Sequence, residues 1–213
     1  MQLTIGLVLV TLLVCCGRVL DEPIATATPV PPTAAPTPVS PSATSGPKVL
    51  IIIRSYYSED MPNITDNELG VMIDMLDDAG LGIRIASHAY DPYESETRTI
   101  TPDLLVGDVD MTDFDALIIP CLAAGVKPLS EGITGLVKQC YKQEKAIAAQ
   151  HGANVTLSRD DLITIEQLNS REVVQNGKII TSGCCPTRAE YSGCEDGTRE
   201  LIEKLIATLN EGE

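Results

Sequence analysis

The chain has 213 residues and a formal net charge of −15 at pH 7, from 15 basic and 30 acidic residues. A field of that sign disfavours nucleic acid and anionic membrane surfaces as partners. The aromatic residues are six Tyr and one Phe, so the core must be largely aliphatic.

The N-terminal segment MQLTIGLVLVTLLVCCG contains an apolar run from Leu3 to Cys16. This run is about two-thirds of the roughly 20 residues that a membrane-spanning helix needs, so it fits an export signal better. The ending LLVCCG resembles a bacterial lipoprotein box. We therefore expect residues 1–20 to be a signal peptide of lipoprotein type, with Cys16, or less favourably Cys15, as the lipidated residue. The alternative is a cleaved signal whose cysteines are discarded.

Residues 21–47 are predicted to be a disordered tether. The part from Thr26 to Pro47, TATPVPPTAAPTPVSPSATSGP, is rich in Pro, Thr, Ala and Ser. It cannot bury enough apolar surface to offset chain entropy, and its prolines favour extended geometry. We expect an extracytoplasmic domain that is held at the cell envelope by an N-terminal lipid anchor. The alternative is a tail without an anchoring role.

A folded domain is predicted from Lys48 onward. The run KVLIII is typical of a strand that is buried on both faces. A loop through Pro62 follows, and Thr65 or Asp66 can then cap a helix that ends at Gly80. The next buried strands are predicted in LGIRIASH and DFDALIIPC.

The second half of the domain continues this alternation. A helix from about Leu129 to Tyr141 precedes the strand KAIAAQ, and a short helix follows it. The segment REVVQNGKIITS predicts a hairpin that turns at Asn176 and Gly177. An amphipathic helix in CEDGTRELIEKLIATL closes the domain.

Alternating strands and helices predict a flavodoxin-like α/β sandwich of three layers over residues 48–213. Its sheet is mostly parallel, has helices on both faces and carries a C-terminal hairpin. Such sheets place function at the carboxyl ends of their strands. No glycine motif that could cradle a phosphate is present, and we predict no cofactor. The predicted strand ends carry Arg54 and Ser55, His88, Cys121, Gln150, and Ser182 to Pro186.

Four segments resemble the ThiJ/PfpI family of the class I glutamine amidotransferase-like superfamily: KVLIII, NELGVMIDMLDDAGLGIRIAS, DFDALIIP and KAIAAQHGA. The ending VVQNGKIITSG is similar to the last hairpin of that family, so the resemblance covers about residues 48–210. It implies a pocket for a small molecule, with hydrolase, glyoxalase or deglycase activity. The family places a nucleophilic cysteine at an elbow between strand and helix, with a glutamate of the first helix against its sulfur. Family members commonly dimerise, so the resemblance also implies a homodimer.

The chain departs from the family at this elbow. The matching positions are Gln150, His151 and Gly152, and the glutamate matches Glu68. Glutamine has no ionisable atom that could act as the nucleophile. After IIP the family has two glycines whose N–H groups face the oxyanion, whereas this chain has CL, beginning at Cys121. We interpret the elbow as degenerate and the protein as a non-catalytic or ligand-binding envelope domain.

Two alternative functions stay open. In the first, the thiol has moved, and Cys121 is the nucleophile of a cysteine-dependent hydrolase or glyoxalase. His151 would then be the base, and Glu68 would be its partner. In the second alternative, the protein is a structural component of the envelope.

The cysteines also allow structural disulfides. In an exported domain, Cys121 can pair with Cys184 or Cys185, or Cys194 can pair with one of those two. Cys140 is expected to be a small buried apolar residue. We predict no metal site, because the three C-terminal cysteines lack Cys-x-x-Cys spacing and adjacent cysteines do not readily face one ion.

Overall fold

The computed structural model describes residues 46–54, 61–121 and 130–211. The expected signal peptide, Cys16 and nearly all of the tether lie outside the described residues, as do Ser55, Leu122 and Leu129. Within the described ranges, no helix is both long enough and apolar enough to cross a membrane.

The described chain contains both strands and helices. The strands are β1 (Lys48–Ile52), β2 (Gly82–Ser87), β3 (Tyr93–Glu94), β4 (Thr99–Ile100), β5 (Leu104–Leu105), β6 (Ala116–Ile119), β7 (Ala146–Gln150), β8 (Val173–Asn176) and β9 (Ile179–Ser182). The helices are α1 (Met61–Asn63), a π-helical segment (Ile64–Gly70), α2 (Val71–Asp78), α3 (Glu131–Lys142), α4 (Asn154–Arg159), α5 (Ile165–Asn169), α6 (Pro186–Ser192) and α7 (Thr198–Asn210). Short 3-10 turns lie at Val106–Asp108, Met111–Asp113 and His151–Ala153.

Seven strands form one sheet in the order β5-β2-β1-β6-β7-β9-β8. All neighbours in it are parallel except β8 and β9, which form an antiparallel hairpin. Gly177 and Lys178 connect the two strands, and Gly177 has φ +58°, the left-handed conformation that such short turns require. The predicted α/β architecture with a mostly parallel sheet and a C-terminal hairpin is confirmed.

The aliphatic core lies on both faces of this sheet, as continuous apolar strands require. Strand β1 illustrates the division, since Val49 and Ile51 belong to one buried cluster and Leu50 and Ile52 to the other. The first cluster includes side chains of α2 and α7, and the second includes side chains of α3 and Phe114. The single Phe of the chain is therefore a core residue.

The first helical region begins earlier than the sequence suggested. The chain is already helical at Met61, so the predicted loop through Pro62 and the predicted cap at Thr65 or Asp66 are wrong. Proline is tolerated in a first helical turn, where its missing N–H has no intrahelical partner to lose. The region ends as predicted, with Gly80 at φ +73° directly after the last turn.

Candidate thiol–imidazole site

The turn after β7 places one side chain at a strained position. His151 has φ +44°, which is in the left-handed region that non-glycine residues rarely adopt, whereas Gln150 has the extended φ of −117°. Such a conformation costs of order 1–3 kcal/mol and persists where surrounding contacts impose it. A strained turn between strand and helix is also the geometry with which α/β folds expose a reactive side chain. The residue at the apex is therefore His151, and Gln150 is the last residue of the strand.

The side chain of Gln150 points into the protein interior and is fully buried. Its Nε2 donates to the backbone oxygen of Cys184 at 3.0 Å and to Oγ1 of Thr198 at 2.7 Å. These two bonds connect the end of β7 to the segment after β9 and to the start of α7. Gln150 is thus a structural contact of the strand ends.

Two thiols converge on the imidazole of His151. The Sγ of Cys121, at the end of β6, lies 3.3 Å from Nδ1 of His151, and the Sγ of Cys185, after β9, lies 3.9 Å from the same nitrogen. All three donor atoms lie within 4.8 Å of one another. Cys185 is buried and the other two residues are partly exposed. The cluster is at the carboxyl ends of three adjacent strands, as expected for this class of sheet.

Glu68 approaches the cluster from the π-helical segment, a type of distortion that is frequent at functional sites. Its side chain is buried, and its Oε1 accepts a hydrogen bond of 2.5 Å from the backbone N–H of Cys121. Burial, followed by the charge of Cys185, raises the pKa of Glu68 well above its usual range. Burial therefore favours the protonated carboxyl group, which can also donate a hydrogen bond.

The two thiols differ in acidity. A hydrogen bond from Cys121 lowers the pKa of Cys185 to about 5 against the opposing effect of burial, with help from His151 and from the backbone N–H of Arg188. The pKa of Cys121 is raised, first by that same hydrogen bond and then by burial and the charge of Glu68. The backbone N–H of Gly152 donates to the Cys121 sulfur. Near neutral pH the pair therefore holds its thiolate on Cys185 and its proton on Cys121.

The other three cysteines of the described residues lie outside this cluster. Cys184 is joined to Cys194 by a disulfide, which is one of the pairings that the sequence left open. Cys121 and Cys185 are both free thiols, as is the buried Cys140, whose Sγ donates to the backbone oxygen of Ala146.

The structure therefore brings together three predicted site residues, Glu68, Cys121 and His151, with Gly152 beside them. It takes Gln150 out of the group and adds Cys185, which the sequence analysis had placed at a strand end and had named as a disulfide candidate but not as a catalytic residue. The position of Cys185 after the last parallel strand could have identified it as a site residue, because the end of that strand lies next to the elbow.

The fold and this cluster define an α/β domain with a cysteine–histidine site at the carboxyl edge of its sheet. Residues 47–183 match the model of the DJ-1/PfpI family, and the chain belongs to that family. No match is found among curated proteins.

Solved structures with the same fold include several relatives. The ThiJ/PfpI domain protein of Brachyspira murdochii is 16% identical, with a TM-score of 0.53 over 77% of this chain and 96% of that chain. DJ-1beta of Drosophila melanogaster is 19% identical, with a TM-score of 0.56 over 77% of this chain and 90% of that chain. The oxidised DJ-1 of Toxoplasma gondii is 21% identical, with a TM-score of 0.50 over 78% and 98%. At these identities the likeness establishes the fold alone.

Proposed function

We propose that this DJ-1/PfpI domain binds a thiol-reactive or thiol-coordinated ligand through Cys121, His151 and Cys185, and that it does not hydrolyse carbonyl or peptide substrates. The observation that carries the proposal is the convergence of two sulfur atoms on one imidazole nitrogen, at 3.3 and 3.9 Å. Two free thiols beside an imidazole suit a ligand that two sulfur atoms can hold at once.

The surroundings of Cys121 support binding over hydrolysis. Attack on a carbonyl carbon needs free N–H donors at the position where the oxyanion develops. The family resemblance assigns one such donor to the N–H of Cys121, and Glu68 already accepts a hydrogen bond from it. The apex of the elbow holds His151, an imidazole, in the place where a nucleophile would be exposed. A substrate oxygen would therefore have to compete with a buried carboxyl group for its donor.

The binding proposal is tested with an aryl trivalent arsenical, a probe that bridges two neighbouring thiols and releases water. We expect the full chain, with Cys15 and Cys16 replaced by Ser so that these neighbouring thiols cannot hold the probe, to take up one equivalent, as measured by mass spectrometry under native conditions without reductant. Cys121→Ser and Cys185→Ser should each abolish bridging. Cys140→Ser is the matched control, because Cys140 is a buried free thiol on α3 outside the cluster, and it should bind like the wild type. Uptake that survives either cluster variant would refute the proposal.

The competing enzymatic function is tested on the same proteins. We expect no conversion of methylglyoxal and no peptide hydrolysis by the wild type. Turnover that disappears in Cys121→Ser would instead establish the cysteine-dependent hydrolase or glyoxalase with a relocated nucleophile. Absence of both turnover and arsenical uptake would favour a structural role in the envelope.

We also propose that the domain is held at the cell envelope by lipidation of Cys16. The support comes from the sequence, in which an apolar run ends at Cys16 and a Pro/Thr-rich segment follows it. Bacteria that express the full chain and are fed labelled palmitate should incorporate the label, and Cys16→Ser should lose it. Incorporation that persists in Cys16→Ser and disappears in Cys15→Ser would contradict the assignment to Cys16. No incorporation by the wild type would refute lipidation.

A further inference from the structure

We propose that the ligand of this cluster is a zinc ion, coordinated by Cys121, His151 and Cys185. This inference rests on the proposed function and names its ligand. Cys184 does not belong to the set, because its sulfur is bonded to Cys194. The disulfide thereby resolves the objection that two adjacent cysteines would have to face one ion, since Cys185 is the only one of the pair with a free thiol.

The distances between the donor atoms fit tetrahedral zinc. Bonds of about 2.3 Å to sulfur and about 2.0 to 2.1 Å to nitrogen, at tetrahedral angles, place sulfur and nitrogen about 3.6 Å apart and two sulfurs about 3.8 Å apart. The observed separations of Nδ1 from the two sulfurs, 3.3 and 3.9 Å, lie on either side of that value. The two sulfurs also lie within 4.8 Å of each other. Changes of about 0.3 Å in the two sulfur–nitrogen distances, and of at most about 1 Å in the sulfur–sulfur distance, would therefore give the spacing of the three bonds.

The chemistry of the donors also favours zinc. Thiolate and imidazole are the ligands that zinc prefers, and hard cations such as Mg²⁺ and Ca²⁺ bind oxygen instead. Two thiolates neutralise a divalent ion, which matters where Cys185 is only 1% exposed, whereas a monovalent copper ion would leave one negative charge. Three protein ligands of this type leave the fourth position of zinc for water or a substrate.

The protein holds these ligands in place before any ion binds. The elbow fixes the backbone of His151 in its left-handed conformation. Each sulfur accepts a hydrogen bond from a backbone N–H. The N–H of Gly152 donates to Cys121, and the N–H of Arg188 donates to Cys185. Hydrogen bonds of this kind orient the ligands of metal sites. The sequence shows no short metal-binding motif, because His151 is 30 residues from Cys121 and 34 residues from Cys185, and the three ligands follow three different strands.

The test uses the full chain without a histidine tag, freed of metal by a chelator and kept without reductant so that the Cys184–Cys194 disulfide stays intact. Zinc is titrated against a chromogenic chelator, and bound metal is counted by mass spectrometry after gel filtration. Cobalt(II) serves as the spectroscopic probe, because thiolate ligation produces charge-transfer absorption and tetrahedral geometry intensifies the d–d bands. We expect one ion per chain with both cobalt signatures.

The variants separate this site from adventitious binding. Cys121→Ser, Cys185→Ser and His151→Ala should each weaken zinc binding by about 100-fold or more, while Cys140→Ser should leave it unchanged. Zinc that binds equally to wild type and to both serine variants of the cluster would overturn the inference. If the wild type takes up the arsenical but no zinc, the zinc inference fails and the ligand-binding proposal stands. If it takes up neither, both fail.

Discussion

The acidity of Cys185 is the property that most directly reports the arrangement of the cluster. The largest influence that lowers its pKa to about 5 is the hydrogen bond from Cys121. A hydrogen bond to a charged group contributes about 1.5–3 kcal/mol, which corresponds to about 10- to 100-fold in the ionisation constant. We therefore expect Cys121→Ala to lower the ionised fraction of Cys185 at pH 6 from about 90% to between about 10% and 50%.

The assay is the ultraviolet absorbance of the thiolate, followed between pH 4 and 9 on metal-free protein. The wild type should show one ionised thiol per chain at pH 7, Cys185→Ser should show none, and Cys140→Ser should match the wild type. Circular dichroism at each pH would verify that the variants stay folded. A wild-type transition near pH 8.5, the ordinary thiol range, would refute the reasoning, as would an unchanged transition in Cys121→Ala.

Three further predictions concern the residues that support the site. Because the folded-state pKa of Glu68 is raised, the stability linked to its protonated form is present below its usual pKa and is lost as pH rises through the folded-state value. Glu68→Gln should therefore gain stability relative to wild type between pH 5 and pH 8 in urea unfolding, and an equal difference at both pH values would contradict this. Gln150→Cys should restore no methylglyoxal turnover and should label with a water-soluble alkylating reagent only after unfolding, because position 150 is fully buried; rapid labelling of the folded variant would disprove the orientation. Gly183→Ala should prevent folding, because the added Cβ would lie 1.7 Å from the backbone oxygen of Ser170. Gly135→Ala on α3, where the added Cβ meets no atom within 4 Å, should raise the unfolding free energy by up to about 1 kcal/mol. Thermal unfolding of both variants tests this, and a Gly183→Ala protein that is more stable than Gly135→Ala would contradict it.

The fold could be predicted because its main signals are local. Apolar runs such as KVLIII report strands that are buried on both faces, and the glycines at 80 and 177 mark turns that require a left-handed backbone. The short hairpin of β3 and β4 was missed because each strand has only two residues, too few for a periodic pattern. The early helix start at Met61 was missed because Pro62 suggested a loop, although proline is also common in the first turn of a helix.

The candidate site was predictable in part, for a topological reason. Parallel strands bring their carboxyl ends to one edge, so Cys121 and His151 could be expected to meet. Which elbow residue faces the site could not be read in the same way. Side chains alternate along a strand, so a difference of one residue in where β7 ends exchanges Gln150 for His151. Only the backbone angles decide this, and they place the bend at His151.

The same contacts that remove Gln150 from the site explain why Cys185 belongs to it. Gln150 donates to the backbone oxygen of Cys184, and Ser182 donates to that oxygen as well, at 2.7 Å. The disulfide from Cys184 to Cys194 restrains the segment from its other side. Cys185 is the next residue along the chain, so these restraints determine where its sulfur can lie relative to His151. Gln150 is therefore a positioning residue that holds the last strand end against the elbow, and the reactive groups of the site come from the neighbouring strand ends that it helps to bring together.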